Sequence, residues 1–312
     1  MKISVVTPFY NEEEVIPIFF EAITSALSGY DDFEIICVDD GSSDSTLQQL
    51  ISCRAIDPRI KVVELSRNFG KEAALTAGLQ HSCGDCTIII DADLQDPPEI
   101  IPEMIAKWKE GADVVMGRRA QRKSDSLIKR MTARGFYQTF NYFADDPIPE
   151  NVGDFRLIDR KVLQIINLLK EKNRFMKGLL SWPGFDVAFV DYERPERAAG
   201  ETKWNYPKLF GLAIDGILAF STVPLRLSFI LGFVSSVFAV GYAIFLILRT
   251  TIQGVDLPGY ASIMVVSLTF SGLILICLGV IGEYLGRIYI EVKQRPIYVI
   301  KKLHGDSPAD RT

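Results

Sequence analysis

The 312-residue sequence lacks features that define several other classes of protein. It has five cysteines, an odd number that gives no disulfide framework, and only two histidines. His81 stands near Cys83 and Cys86 in HSCGDC, but no second pair of ligands follows, so we expect ordinary turn residues rather than a zinc site. The opening MKISVVTPFYNEEE turns polar too soon for a signal peptide and is typical of a first strand.

Glycine is absent from VTPFYNEEE, the segment that contains the end of that first strand and the turn after it. A dinucleotide-binding fold needs glycines at this turn, so their absence argues against a nicotinamide or flavin dehydrogenase. No nucleic-acid-binding module is visible, although the formal net charge of −5 hides a basic segment from Arg118 to Arg134 that contains a single acid, Asp125. In a chain that also carries membrane spans, such a segment indicates anionic lipid or phosphate as a partner and not nucleic acid.

Hydrophobic residues make up 48% of the chain and are concentrated near its C-terminus. Ser228 to Leu248 and Tyr260 to Gly282 contain no charged side chain, and each is long enough as a helix to cross a bilayer core of about 30 Å. The loop between them, TTIQGVDLPGY, has no lysine or arginine, whereas several basic residues follow the second span. We therefore expect a cytoplasmic (inner) membrane protein whose catalytic domain and both termini are cytoplasmic. Glycines within the spans permit a homo-oligomer.

The N-terminal part alternates short β-branched runs with amphipathic helical segments, which predicts an α/β domain with a mainly parallel sheet. Ligands of such sheets bind beyond the carboxyl ends of the strands. The sequence places its unusual polar residues at these ends: Pro8, Asn11, Asp39, Asp40, Arg67, Asn68, Asp91 and Asp93.

Carboxylates are crowded at the end of the fourth predicted strand, in IIIDADLQDPPE. Asp91 and Asp93 are two residues apart, so both side chains face one side of an extended segment and suit a hard cation such as Mg²⁺ or Mn²⁺. Gln95 continues the spacing. The alternative is a capped turn before the next helix, which Asp96 and two prolines begin.

The motifs VVTPFYNEEE, VDDGSSDST, SRNFGKEAALTAGL, DADLQDPPE and GRR, in this order, resemble those of glycosyltransferase family 2. Together with NVGDFRLIDR, NRFMKGLLSW, ERAAGETKWNY and the two spans, they resemble the polyprenyl-phosphate glycosyltransferases, which include bactoprenol glucosyltransferases and relatives of dolichol-phosphate mannosyltransferase. The resemblance covers essentially residues 1 to 300. It implies a GT-A (nucleotide-diphospho-sugar transferase) fold.

The resemblance also implies roles for individual residues. The residues implied for the nucleotide sugar are Pro8, Asp39, Asp40, Asp91, Arg197 and Lys203. Those implied for Mg²⁺ or Mn²⁺ are Asp91, Asp93 and Gln95, and those for the acceptor phosphate are Arg118, Arg119, Arg122 and Lys123. Asp154 matches the catalytic carboxylate, and three roles are open for it: taking a residual proton, orienting the phosphate, or shaping the pocket through a salt bridge with Arg156 or another neighbour.

The expected reaction is inverting transfer of glucose from UDP-glucose to undecaprenyl (bactoprenol) phosphate, for modification of a glycan such as O-antigen. The alternatives are GDP-mannose or a UDP-amino-pentose as donor, or a non-catalytic protein that flips lipid or holds partners. A processive polysaccharide synthase is disfavoured because the chain has no Q-x-x-R-W motif and too few spans to form a polymer channel.

The sequence predicts four consecutive parts of the chain. They are a cytoplasmic GT-A domain in 1–200 with an acceptor loop and interfacial helix at about 118–144, an interfacial amphipathic helix in 201–224, a transmembrane hairpin in 225–287 with spans at about 228–248 and 260–282, and a basic cytoplasmic tail in 288–312.

Overall fold

The computed structural model describes residues 1–119, 152–169, 171–172, 176–179, 182–193, 223–253 and 259–305. These residues fall into two structural units. The larger unit contains the described residues up to 193 together with 295–305, and the smaller one contains 223–253 and 259–294.

The larger unit alternates strands with helices, as the sequence predicts. Its first half contains β1 (Ile3–Phe9), α1 (Ile16–Ala26), β2 (Phe33–Asp39), α2 (Thr46–Ile56), β3 (Ile60–Leu65), α3 (Lys71–Gln80) and β4 (Cys86–Ile89). Its second half contains a 3₁₀ turn (Pro98–Ile100), α4 (Ile101–Lys109), β5 (Val114–Arg119), β6 (Val152–Asp159), α5 (Arg160–Leu168), α6 (Met176–Leu179), β7 (Val187–Tyr192) and, near the C-terminus, β8 (Ile300–His304).

The eight strands form one sheet in the order β7-β5-β6-β4-β1-β2-β3-β8. The pairs of β1 with β2, β1 with β4, β2 with β3 and β5 with β7 are parallel, whereas β6 runs antiparallel to both of its neighbours and β8 runs antiparallel to β3. The predicted α/β architecture with a mainly parallel sheet is therefore confirmed.

Both faces of the central strands are buried, which explains their continuous apolar sequences. Neighbouring residues of β1 point to opposite faces: Val5 belongs to one hydrophobic cluster with residues of α1 and α4, and Val6 belongs to a second cluster with residues of α3 and α5. All seven residues of β2 are buried. This packing holds the carboxyl ends of β1, β2 and β4 side by side at one edge of the unit.

The smaller unit contains two long helices, α7 (Val223–Gln253) and α8 (Tyr260–Lys293). By length and composition, Leu225–Phe245 and Val265–Lys293 are apolar enough to cross a membrane, and their large hydrophobic side chains are mostly exposed. The two predicted spans lie within these helices. Within α8, Arg287 Nη2 lies 3.1 Å from Glu283 Oε1, one helical turn earlier.

The segment 288–312, predicted to be a basic cytoplasmic tail, contains the end of a helix and a β-strand. The helix α8 continues to Lys293, and Ile300–His304 forms β8 at the edge of the eight-stranded sheet. Little in the sequence indicates a strand here because IKKLH is short and charged, and because its partner strand, β3, lies far away in the sequence. Most of the two predicted interfacial segments, about 118–144 and 201–224, lies outside the described residues.

Candidate functional site

Two carboxylates face each other at the carboxyl end of β4. The strands β4 and β6 pair antiparallel with Ile89 opposite Arg156, and continuing this register by two residues places Asp91 opposite Asp154. The catalytic and metal-binding carboxylates implied by the resemblance are therefore brought together from distant parts of the sequence. Both are partly buried, with 29% and 19% of their side chains exposed.

The cation that separates these carboxylates is the ammonium group of Lys71. Its Nζ atom lies 2.7 Å from Asp91 Oδ1 and 2.8 Å from Asp91 Oδ2, and it donates a hydrogen bond of 2.6 Å to Asp154 Oδ2. An ammonium has three hydrogens to donate, and three carboxylate oxygens lie within hydrogen-bonding distance. Lys71 is thus a partner of Asp154 that the sequence analysis did not identify.

Electrostatics at this bridge are dominated by burial and by the opposite charges. Burial lowers the pKa of Lys71, but Asp91 and Asp154 outweigh it and raise that pKa above its ordinary value. Burial raises the pKa of Asp91, an effect that Lys71 opposes. The lysine therefore stays charged and neutralises part of the repulsion that crowded carboxylates create.

The position of Lys71 is fixed through Asp40, at the end of β2. The two carboxylate oxygens of Asp40 accept hydrogen bonds from the backbone N–H groups of Phe69, at 2.7 Å, and Gly70, at 2.9 Å. Gly70 has a φ of 98°, a conformation that favours glycine, and α3 begins at the next residue, Lys71. Asp40, predicted to hold the nucleotide, therefore shapes the turn that presents the lysine.

The neighbouring carboxylate, Asp39, is buried but has an unused acceptor. Its Oδ2 atom accepts a hydrogen bond of 3.3 Å from the backbone N–H of Ser42, whereas its Oδ1 atom is buried with no hydrogen-bond partner in the part of the chain that the structure describes. Burial raises the pKa of Asp39. An orphaned acceptor of this kind is costly unless a ligand satisfies it.

The turn after Asp39 and Asp40 requires glycine. Gly41 has a φ of 69°, and a Cβ atom there would lie 2.4 Å from the backbone carbonyl carbon of Arg67. The close approach joins the VDDG turn to the segment that leads into α3. Asn11 completes the turn by accepting a hydrogen bond of 2.8 Å from the backbone N–H of Ser43.

A pocket of about 340 Å³ opens over these groups, and four of the predicted site residues line it. Its lining consists of Pro8, Phe9, Tyr10, Glu12, Asp40, Asn68, Gly70, Lys71, Asp91, Ala92 and Asp93. Asp39 is not among these lining residues. Gln95 is buried, with 7% exposed, and is not among them either, although its backbone N–H donates to Asp93 Oδ1 at 3.2 Å.

The two arginines predicted to bind acceptor phosphate, Arg118 and Arg119, differ in their surroundings. Arg118 forms a two-pronged pair with Asp191, at 2.6 and 2.9 Å, on the exposed side of the sheet. Arg119 lies 3.4 Å from the hydroxyl of Tyr192 and 3.8 Å from Asp96 Oδ1, and the Tyr192 hydroxyl donates a hydrogen bond to Asp96.

This second group of contacts holds Arg119 near β6. A Cβ atom on Gly153, the residue before Asp154, would lie 3.5 Å from Arg119 Nη2. Four further predicted site residues lie outside the described residues: Arg122, Lys123, Arg197 and Lys203.

The donor set fits one divalent cation with few protein ligands. Within the described ranges, no group of three or more histidine, cysteine or acidic side chains is arranged to hold a metal ion. Two carboxylates, Asp91 and Asp93, line the pocket, and Asp91 already binds a cationic group in the form of Lys71. Mg²⁺ is commonly held by one or two carboxylates, with substrate phosphates and waters as its other ligands.

Sequence reasoning missed Lys71, Asp96 and Tyr192 as contributors to the site. Lys71 carried a usable signal, because it follows Gly70 at the predicted start of a helix after a strand. The contact of Tyr192 with Asp96 joins residues almost a hundred positions apart, so no local pattern could reveal it.

The amino-acid sequence is similar to those of several known proteins. The family model "Glycosyl transferase family 2" matches residues 4–166. An uncharacterized glycosyltransferase of Synechocystis is 50% identical over 306 residues, covering 98% of this chain and 96% of that protein. The SfII prophage-derived bactoprenol glucosyl transferase of Shigella flexneri is 47% identical over 311 residues, 99% and 100% of the two chains. A prophage bactoprenol glucosyl transferase homolog of Escherichia coli is 48% identical over 306 residues, 97% and 99%.

Proposed function

The chain belongs to glycosyl transferase family 2, and we propose that it transfers glucose from UDP-glucose to undecaprenyl phosphate with inversion at the anomeric carbon. Its larger unit has the GT-A fold, and its polyprenyl-phosphate transferase type is established by the nearly full-length identity to bactoprenol glucosyl transferases. That identity is the observation that carries the proposal, because it includes the spans as well as the catalytic unit.

The donor fits the pocket at the carboxyl ends of β1, β2 and β4. We assign the buried, unpaired Oδ1 atom of Asp39 to a hydrogen bond with the base or ribose, and Pro8 to the wall of the nucleoside site. The opposing carboxylates, Asp91 and Asp154, then lie beyond the nucleoside, where the sugar diphosphate would extend.

A divalent cation, Mg²⁺ or Mn²⁺, is part of the proposal. Asp91 and Asp93 would hold it, and it would neutralise the diphosphate of the departing nucleotide. Gln95 is buried and does not line the pocket, so its role as a third ligand stays a prediction from the sequence.

The acceptor is already an anion, so little deprotonation is required. A phosphate oxygen of the lipid attacks the anomeric carbon, the bond from that carbon to the UDP oxygen breaks, and UDP leaves with the electron pair. Asp154 orients the acceptor phosphate or takes its residual proton, while Arg119 and the basic residues after it, Arg122 and Lys123, offset the repulsion between two phosphate-bearing substrates. An α-linked donor then gives a β-linked lipid product.

We place the reaction at the cytoplasmic face of the inner membrane. The proposed organisation has a catalytic domain in 1–200, an interfacial helix in 201–224 and a transmembrane hairpin in 225–287. The two helices long and apolar enough to cross a membrane support the hairpin, and the basic residues after it support the orientation. A homo-oligomer and a role in O-antigen modification complete the proposal.

The test is transfer of radiolabelled sugar from a panel of UDP- and GDP-sugars to undecaprenyl phosphate by the full chain in detergent. The assay is run with Mg²⁺, with Mn²⁺ and with EDTA, beside Asp154→Asn and Asp93→Ala. We expect a glucosylated lipid from UDP-glucose, no product with EDTA, and a loss of at least about a hundredfold in each variant.

A product from GDP-mannose or a UDP-amino-pentose alone would overturn the choice of donor and keep the reaction class. If the folded chain bound UDP-glucose but gave no lipid product from any donor, the transfer reaction itself would be wrong, and a non-catalytic role would replace it.

A further inference from the structure

The ammonium group of Lys71 occupies the place where a cation is needed between Asp91 and Asp154. It approaches both oxygens of Asp91, at 2.7 and 2.8 Å, and one oxygen of Asp154, at 2.6 Å. Asp91 is also one of the two carboxylates assigned above to the divalent cation. The ammonium group of Lys71 and the divalent cation would therefore bind the same carboxylate.

The two cations cannot both make their best contacts with Asp91. A divalent ion binds carboxylate oxygen at about 2.0–2.2 Å, and an ammonium hydrogen-bonded to the same carboxylate would lie within a few ångströms of it. Like charges at that distance repel strongly in a partly buried site. Because the lysine side chain has a flexible four-carbon stem, it can leave Asp91 without moving the backbone of α3.

We propose that Lys71 is a positioning residue that competes with the divalent cation for Asp91 and keeps its hydrogen bond to Asp154 when the cation binds. This proposal rests on the proposed function, through the assignment of Asp91 to the metal. In the ligand-free chain the lysine holds the two carboxylates together at low electrostatic cost. In the loaded chain it anchors Asp154 beside the acceptor.

A consequence is that the metal binds weakly until the nucleotide diphosphate arrives. The diphosphate adds negative charge that compensates for the displaced ammonium, so the cation and the nucleotide sugar bind cooperatively. Asp40 keeps Lys71 at this position, since the hydrogen bonds that it accepts from the N–H groups of Phe69 and Gly70 fix the start of α3.

The experiment measures binding of Mn²⁺ alone to the full chain in detergent, from the loss of the electron paramagnetic resonance signal of the free ion. Lys71→Met removes the competing charge, and Lys71→Arg keeps it. The control, Lys161→Met, removes a lysine that is 56% exposed and paired with Asp113. We expect Lys71→Met to bind Mn²⁺ about tenfold more tightly than the wild type, with the other two variants unchanged.

The direction of this change separates competition from a purely structural role. A lysine that only stabilised the fold would, when removed, leave Mn²⁺ binding the same or weaker, and that result with a folded Lys71→Met would overturn the proposal. Lys71→Gln supplies the same readout where Lys71→Met does not fold. Addition of UDP should tighten Mn²⁺ binding by a larger factor in the wild type than in Lys71→Met.

The outcomes also distinguish this proposal from the proposed function. Unchanged Mn²⁺ affinity in Lys71→Met together with metal-dependent glucosyl transfer by the wild type would refute the competition between Lys71 and the metal. The proposed function would stand. If the wild type and every variant bound no Mn²⁺, with or without UDP, the assignment of Asp91 to a metal would fail along with the competition, even where transfer persisted in EDTA.

Discussion

Arg118 and Arg119 are neighbours in β5, but their guanidinium groups contact different carboxylates on opposite sides of the strand. Arg118 pairs with Asp191 in the solvent-exposed part of β7, whereas Arg119 lies 3.8 Å from the buried Asp96. Successive side chains of a strand point to opposite faces of the sheet, so the two guanidinium groups lie on different faces.

We predict that the two arginines contribute unequally to transfer. Arg119→Ala should lower kcat/KM for undecaprenyl phosphate by about tenfold to a hundredfold, because it removes a charge held beside Gly153, the residue before Asp154. Arg118→Ala is the matched control and should change this value less than about threefold, since the guanidinium of Arg118 is already paired with Asp191. Steady-state kinetics with varied acceptor measure both. Equal losses in the two variants would contradict the assignment of Arg119.

The adjacent aspartates of the VDDG motif allow a second comparison. Asp39→Asn should raise KM for UDP-glucose while stability stays nearly constant, because the buried Oδ1 atom has no hydrogen-bond partner among the described residues. Asp40→Asn should instead lower the free energy of unfolding by about 1–3 kcal/mol, because an amide cannot accept both backbone hydrogen bonds. Donor kinetics and thermal unfolding distinguish the two, and identical profiles would refute the division of roles.

Much of the fold was predictable because local signals and the global fold agree. The apolar runs of β1 to β4 and the punctuation between them predicted the parallel sheet, and the uncharged stretches predicted α7 and α8. The motifs that contain Asp91, Asp93 and Asp154 selected carboxylates that the structure places at one end of the sheet, and their roles stay predictions. What the sequence could not show is the partner of each charge: Lys71 between Asp91 and Asp154 depends on the antiparallel pairing of β4 with β6, which is a long-range contact.

The C-terminal strand gives a third prediction. Glu64 in β3 is almost fully buried and contacts Lys301 Nζ at 2.7 Å and His304 Nε2 at 3.0 Å, both from β8. Truncation after Arg295 removes these partners and exposes the edge of β3, so the thermal midpoint of the larger unit should fall by several °C, about what a loss of 1–2 kcal/mol produces. Truncation after Gly305 keeps β8 and is the control. The prediction fails if both truncated chains melt together.

The buried Glu34, at the amino-terminal end of β2, predicts a dependence of stability on pH. Its carboxylate accepts hydrogen bonds from Ser4 Oγ at 2.6 Å and from the N–H of Cys83 at 2.7 Å, and it lies 2.9 and 3.2 Å from the ammonium groups of Lys2 and Lys61. Burial raises the pKa of Glu34, but these contacts outweigh it and hold that pKa below its ordinary value.

A carboxylate whose pKa is lower in the folded state stabilises the fold above its unfolded pKa, which is about 4.3, and loses that contribution as the pH falls through the folded value. Glu34→Gln should therefore be less stable than the wild type by about 1–3 kcal/mol at pH 7, and the difference should shrink below about pH 4. Thermal unfolding from pH 7 to pH 3 measures it, with the exposed Glu21→Gln as the control. A difference between Glu34→Gln and the wild type that stayed constant across this range would show that the lost contribution comes from packing and not from the charge of Glu34.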